Sequence, residues 1–270
     1  MSVITISRGS FSGGKLLAEC LARKLGYRCV DRDVIVEKAA ASGVSQQELL
    51  DAILKPPTFL ERLTHKKYLY LTLIQAALTE ELRSGRAVYH GNAGHLLLQG
   101  GAPILRVRVI APVEFRVKMA MARLRLTRQE AIEYIERRDL ERRKWTHYLY
   151  GVDWTDPALY DMVINLEYLT IEDACTSIAA MVRSQPCFQF GPQCQAVLND
   201  LALASQVKAK LALEPSTHLL EFNVTARDGI VSIRGKLTSI DLLPEVERVA
   251  SSVPGVRELV LDEVAPVPQV

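Results

Sequence analysis

Seven consecutive residues carry the sharpest chemical signal in this chain: Gly9, Ser10, Phe11, Ser12, Gly13, Gly14 and Lys15. They follow a short apolar β-type run at residues 3–7 and open a helical pattern at 15–25. Glycines at these positions let successive backbone N–H groups turn inward around an anion, and the start of a helix adds its positive end. A lysine at the last position supplies a mobile charge for outer phosphate oxygens. With 15 glycines and 11 lysines in 270 residues, chance placement gives this spacing only about 0.03 times per chain. A glycine turn with a solvated lysine is the plainer alternative. Phosphate binding is the stronger reading, because strand, loop and helix occur in the required order.

The residue after Lys15 is Leu16, where such loops usually place a Ser or Thr whose hydroxyl meets Mg²⁺. A divalent ion would then rest on phosphate oxygens, waters or a carboxylate elsewhere. Asp31 and Asp33, at the end of a short run, are the nearest carboxylates, and either could equally cap a turn.

Charge is concentrated in one stretch. Residues 106–144 hold 12 basic and 6 acidic side chains, a local excess of +6 in a chain whose net charge is +2, so the remainder carries −4. Arg138, Arg142 and Trp145 share one helix face by spacing, as do Arg116 and Arg123, with Arg125 just beyond. Guanidinium groups are permanently charged forks suited to phosphate oxygens, and phosphoryl transfer needs such groups around the moving charge. Two other readings compete. Glu133 with Arg137, and Asp139 with Arg143, could pair along a solvated helix. An RNA-binding face would call for interleaved aromatic side chains, which the stretch lacks.

The elements that must position these groups divide into two segments. Up to about residue 183, apolar runs at 3–7, 87–90, 104–111 and 162–166 alternate with helical patterns at 15–25, 66–84, 113–124, 128–145 and 171–182. That alternation predicts a parallel sheet of βαβ units. Pro186, Gly191 and Pro192 then mark a linker. Beyond it lie a helix at 199–213, strands at 218–226 and 230–237 joined through Asp228-Gly229, a helix at 244–253 and a strand at 256–264. The expected division is 1–185, a linker at 186–198, and a small α+β module at 199–265.

Composition agrees with two folded units: 49% of residues are hydrophobic and 24% charged. The near-neutral balance argues against a general nucleic-acid binder, and no apolar run approaches the ~18 residues of a membrane span. Five cysteines without a CxxC pair (Cys20, Cys29, Cys175, Cys187 and Cys194) argue against a disulfide framework or zinc site. They favour a reducing compartment, as does an N-terminus without a secretory leader. A cytoplasmic protein is expected.

Residues 7–35 resemble the opening of the cytidylate kinase-like group of P-loop nucleoside monophosphate kinases. The likeness continues through YHGNAGHLLL, VRVIAPVEFRVKMAMAR, IERRDLERRKW, YGVDWTDPALYDMVIN and LTIEDA. The resemblance implies a three-layer α/β P-loop kinase fold, ATP as donor with Mg²⁺, and a nucleoside monophosphate acceptor of the CMP or dCMP type. It implies that Gly9 through Leu16 hold the donor phosphates. Lys15, Arg138 and Arg142 would act in transfer, Asp31, Arg32, Asn92 and Asp139 would face the acceptor, and Arg123 and Arg125 would belong to a closing lid. Two positions depart from the pattern: Leu16, and Asn92 where relatives carry an arginine after the glycine. They motivate a second reading, a nucleotide sensor without turnover; a third places the acceptor outside nucleotides.

The second segment resembles a BON module, through LASQVKAKLALEP, FNVTARDGIVSIRGKLTS and EVERVASSVPGVREL. That resemblance implies a lipid surface, a small hydrophobic ligand or a protein contact as its partner. The segment has one histidine, His218, and no catalytic cluster. Elsewhere, His90 and His95 read as ordinary strand-end histidines, Trp154 as turn packing, and Asp153 and Asp156 as turn starters.

Overall fold

The computed structural model describes residues 3–55, 65–91, 94–98, 104–185 and 191–266, without the side chains of residues 262, 263, 265 and 266. The first unit runs β1 (Val3–Arg8), α1 (Gly14–Leu25), β2 (Arg28–Asp31), α2 (Arg32–Ala40), α3 (Gln46–Leu54), α4 (Lys66–Leu82) and β3 (Ala87–His90). It continues through α5 (Gly94–Leu97), β4 (Ile104–Ile110), α6 (Val113–Leu124), α7 (Arg128–Tyr150), β5 (Met162–Asn165) and α8 (Ile171–Ser184). The strands form one parallel sheet in the order β2-β3-β1-β4-β5.

Successive strand residues point to opposite faces, and both faces are covered. Val3, Ala87, Tyr89 and Ile104 join a core with α2, α3 and α4. Ile4, Ile6, Val88, Leu105, Val107 and Val109 join a second core with Leu17 and Leu21 of α1 and Ile178 of α8. The result is three layers, with helices on both sides of the sheet. Strand β1 sits in the middle, and the chain moves to opposite sides of it through β3 and β4. Open α/β sheets bind ligands at such a switch point, beyond the carboxyl end of the strand, which here is β1.

The second unit comprises α9 (Pro192–Leu213), β6 (Phe222–Arg227), β7 (Ile230–Leu237), α10 (Leu243–Ser251) and β8 (Glu258–Pro266). Strands β6 and β7 form an antiparallel hairpin, whereas β7 and β8 run parallel across the α10 crossover. Asp228 and Gly229 both have positive φ, as a tight two-residue hairpin demands. Val207, Leu211, Val231, Ile233, Val246 and Val249 close its core.

Several boundaries differ from the sequence reading, each for a local reason. Strand β2 and helices α2 and α3 were not legible from periodicity. The four residues of β2 offer little pattern and gain their identity from pairing with β3. Helix α7 runs past Trp145 until Gly151 takes a left-handed turn with φ 67°. Helix α9 begins with Pro192 in its first turn, so residues 192–198 are helical where a linker was expected. Strand β6 starts at Phe222, later than expected, because His218 N–H still donates to Glu214 O at 2.8 Å and Leu220 N–H to Thr217 O at 2.9 Å.

Helix α9 serves both cores. Cys194, Leu198 and Ala209 pack with α4, while Val207 and Leu211 belong to the second unit. Tyr68 of α4 reinforces this seam: its hydroxyl accepts from Phe222 N–H at 3.1 Å and lies 3.3 Å from Phe222 O. Among the described residues no helix is long and apolar enough to cross a membrane.

Candidate phosphate-binding site

The site is built where β1 ends and α1 begins. Gly13 caps α1 in the left-handed region, with φ 83°, and offers no side-chain acceptor to the helix. The first α1 amide bond of this turn is Leu17 N–H to Gly13 O at 3.1 Å. Helix geometry therefore leaves the N–H groups of Gly14, Lys15 and Leu16 without intrahelical acceptors. No acidic side chain occupies that first turn. This is a concentrated donor end, with the partial positive charge of the helix behind it.

The loop itself is braced from inside. Ser12 is buried, and its hydroxyl donates to Gly9 O at 3.0 Å and Val109 O at 3.1 Å. Phe11 takes a positive φ of 61° and its ring stands 6.0 Å from that of Tyr134 on α7. Lys15 is half exposed and 3.9 Å from Glu19, free to swing toward an anion. Leu16 is also exposed and supplies no oxygen.

Arginines converge on this loop from α6, α7 and β1. Arg116 donates through Nε to Ser10 O at 2.7 Å and pairs with Asp139. A Cβ on Gly9 would lie 3.2 Å from the Arg116 guanidinium carbon, so this glycine lets the arginine approach. Asp139 in turn accepts from Ser10 N–H at 3.1 Å and Ser10 Oγ at 3.0 Å. Arg142 donates to Arg8 O and stands 3.8 Å from Asp139. Burial pulls the Arg142 guanidinium down to about 10, opposed by Asp139, which still leaves it charged near neutrality. Arg8 is likewise lowered by burial and opposed by Asp31; it donates to His90 Nδ1 at 3.2 Å.

Trp154 lies between two of these cations. Arg108 and Arg142 sit 4.7 and 4.8 Å from its ring centre, and Arg108 donates to Trp154 O at 3.1 Å. Tyr160 donates to the same carbonyl at 2.7 Å. Among the described residues, Arg108 Nε, Arg142 Nε and Trp154 Nε1 are buried donors with no acceptor.

The expected site residues distribute as follows. Gly9 through Leu16, Asp139 and Arg142 meet at one place. Arg138 is adjacent on α7 but bonds Glu141 at 3.0 Å. Asp31 caps α2 by accepting from Asp33 N–H at 3.1 Å, and its other oxygen faces His90 Nε2 at 3.6 Å. Arg32 pairs with Asp33 at 2.8 Å. Arg123 and Arg125 lie exposed at the end of α6, where Arg125 turns left-handed with φ 55°. Asn92 lies outside the described residues. Trp145, although on the same helix face as Arg142, points into the core and donates to Ala52 O at 2.6 Å.

The alternative of a solvated helix with Asp139–Arg143 and Glu133–Arg137 pairs is not what forms. Asp139 turns to the loop, Arg143 lies 3.4 Å from Asp153, and Arg137 stands over Tyr134. His90 is more than a strand-end residue: burial and Arg8 push it down to about 4, so it is a neutral link between Arg8 and Asp31. Arg8 and Arg108 were not singled out as site residues, and Arg116 was noted only for sharing a helix face with Arg123. Arg8 directly precedes Gly9, and the other two lie in the basic stretch, but only the fold brings them to the loop.

Oxygen donors for a divalent ion are few among the described residues. The Ser12 hydroxyl is spent on two carbonyls, so Asp31, a third exposed, is the carboxylate in reach of the Arg8–His90 end. One carboxylate suits Mg²⁺, which keeps waters and phosphate oxygens as most of its ligands.

Comparison with known proteins matches this picture. A family model described as the cytidylate kinase-like family covers residues 3–168, and a BON domain model covers 199–262. The chain is 30% identical over 185 residues to a cytidylate kinase of Ignicoccus hospitalis, covering 67% of this chain and 99% of the relative. It is 29% identical over 175 residues to a cytidylate kinase of Staphylothermus marinus, covering 64% and 91%. An uncharacterised protein from Eubacterium ventriosum superposes with a TM-score of 0.51 at 18% identity, over 68% of this chain and all of that one, a likeness of fold. With its phosphate loop between β1 and α1 and its match over residues 3–168, the chain belongs to the cytidylate kinase-like family and carries a BON domain behind it.

Proposed function

We propose that residues 1–185 transfer the terminal phosphoryl group of ATP to a nucleoside monophosphate, with CMP or dCMP the favoured acceptor. One observation carries this reading: the amides of Gly14, Lys15 and Leu16 have no intrahelical acceptor, and Arg116 and Arg142 are drawn to the same loop. The amides of Gly13 to Leu16 cradle the donor phosphates, and Lys15 neutralises their outer oxygens. Arg142, with Arg138 beside it, offsets charge on the phosphoryl group in flight. An acceptor phosphate oxygen forms the new bond in line as the bond to ADP breaks; positioning and electrostatics suffice, with no strong general base. Asp31, with the donor phosphates, would hold Mg²⁺, which would supply further charge neutralisation. Arg32, Asn92 and Asp139 are assigned to the acceptor side, and Arg123 and Arg125 to a lid. Asp139, bonded to Ser10, also positions the loop. The BON domain is assigned ligand sensing or localisation, with the cytoplasm as compartment.

The test is ADP release from Mg·ATP across a panel of nucleoside monophosphates. Multiple turnovers with a pyrimidine monophosphate are expected, lost in Lys15→Ala without change in melting temperature, since Lys15 is half exposed and weakly paired. Folded protein that binds ATP but turns over none of the panel would leave the sensor reading in its place.

A further inference from the structure

The spacing of the cysteines gives no metal motif, yet the fold assembles one. Cys20 on α1 and Cys175 on α8 meet between the two helices, with Glu172 one turn before Cys175. The ligand atoms of all three lie within 4.8 Å of one another, and Cys20 Sγ is 3.2 Å from Glu172 Oε2. We propose that Cys20, Glu172 and Cys175 bind one thiophilic divalent cation of the Zn²⁺ class, remote in role from the phosphate loop and independent of the activity proposed above.

Three features support it. First, tetrahedral Zn–S and Zn–O bonds place neighbouring ligand atoms about 3.5–3.8 Å apart, so side-chain rotations of about 1 Å complete the geometry. Second, the charges close: two thiolates and one carboxylate around a divalent ion leave −1, and Lys24 stands 2.5 Å from Glu172 to offset it. Lys24 also donates to Thr176 at 2.8 Å, which holds the ammonium at the rim. Third, access is graded. Both thiols are buried, whereas Glu172 is largely exposed, so solvent supplies the ion and a fourth, water, ligand from that side.

Uptake is balanced simply: the ion replaces two thiol protons, which leave to solvent, and no redox change occurs. Burial and the neighbouring Cys20 push the Cys175 thiol up to about 12. The consequence is mechanical. Helix α1 begins at the phosphate loop, and Leu166 and Ile171, which lead into and open α8, would touch a Cβ on Gly13 at 3.1 Å. A bound ion would pin the loop-bearing helix to α8.

The test uses full-length protein, stripped with chelator and kept reduced, titrated with Co²⁺ and then Zn²⁺. One equivalent of Co²⁺ should produce a thiolate-to-cobalt charge-transfer band that Zn²⁺ abolishes, and Zn²⁺ should raise Tm. The Cys20→Ala/Cys175→Ala variant should lose the band. Glu172→Gln, a surface change that spares the core, should weaken binding by at least about tenfold, the lower end of what even an outer partner's loss costs. Cys29→Ser, at an exposed cysteine outside the cluster, should bind as wild type does. No charge-transfer band in the reduced wild type would overturn the proposal, as would a band that persists in the double alanine variant or Glu172→Gln binding equal to wild type.

Discussion

Replacing Asp139 by alanine should separate what holds the loop from what binds a ligand there. Its carboxylate accepts from Ser10 N–H at 3.1 Å and Ser10 Oγ at 3.0 Å, pairs with Arg116, and lies 3.8 Å from Arg142. The Asp139 side chain is 22% exposed and that of Arg116 14%, so the pair is largely sheltered. Breaking a buried ion pair costs about 3–5 kcal/mol, and partial solvent access reduces this to about 2–3 kcal/mol. For a domain of this size, each kcal/mol moves Tm by about 2–4 °C, giving a fall of roughly 4–12 °C. Asp139→Asn keeps an oxygen for Ser10 and should recover about 1 kcal/mol of that loss, the usual worth of one hydrogen bond. Scanning calorimetry of wild type, Ala and Asn variants provides the measurement. An alanine variant melting within a degree of wild type would refute the argument that this carboxylate fastens α7 to the loop.

Two further outcomes follow from buried groups. His95 packs 4.8 Å from the Tyr160 ring, neither nitrogen has a partner among the described residues, and burial lowers it to about 4. The unfolded chain therefore takes up a proton below about pH 6.5 that the native state refuses, so stability falls as pH drops toward 4 and is flat above 7. At pH 4.5 His95 alone should cost about 2.5 kcal/mol. Urea unfolding at pH 7 and 4.5 should show that difference shrinking in His95→Phe. Tyr68→Phe removes the acceptor for Phe222 N–H. Exchange of that amide should quicken about tenfold, a loss of roughly 1.4 kcal/mol locally, while sheet amides of β1 keep their protection.

The loop was legible because its chemistry is local. Glycines, a lysine and the strand-to-helix context all lie within a few residues, and backbone sterics at Gly13 leave little choice of conformation. The alternation of strands and long helices was legible for the same reason, since periodicities of 2.0 and 3.6 are properties of short segments. Short elements such as β2, with four residues, were not, because pairing with β3 decides them.

Sequence alone thus determined the phosphate loop, the layered α/β class, the BON-like hairpin and the presence of a basic stretch. Tertiary structure alone decided that Arg116 reaches the loop beside Arg142, that Arg143 turns to Asp153, and that Arg8 joins from β1. It also decided that Asp139 leaves its helical neighbours for Ser10, and that Cys20 meets Cys175. The physical reason is one of range. Dihedral preference and hydrophobic period act over a turn or a strand, whereas a charge or a thiol takes its partner from whatever the packed layers bring within a few ångströms.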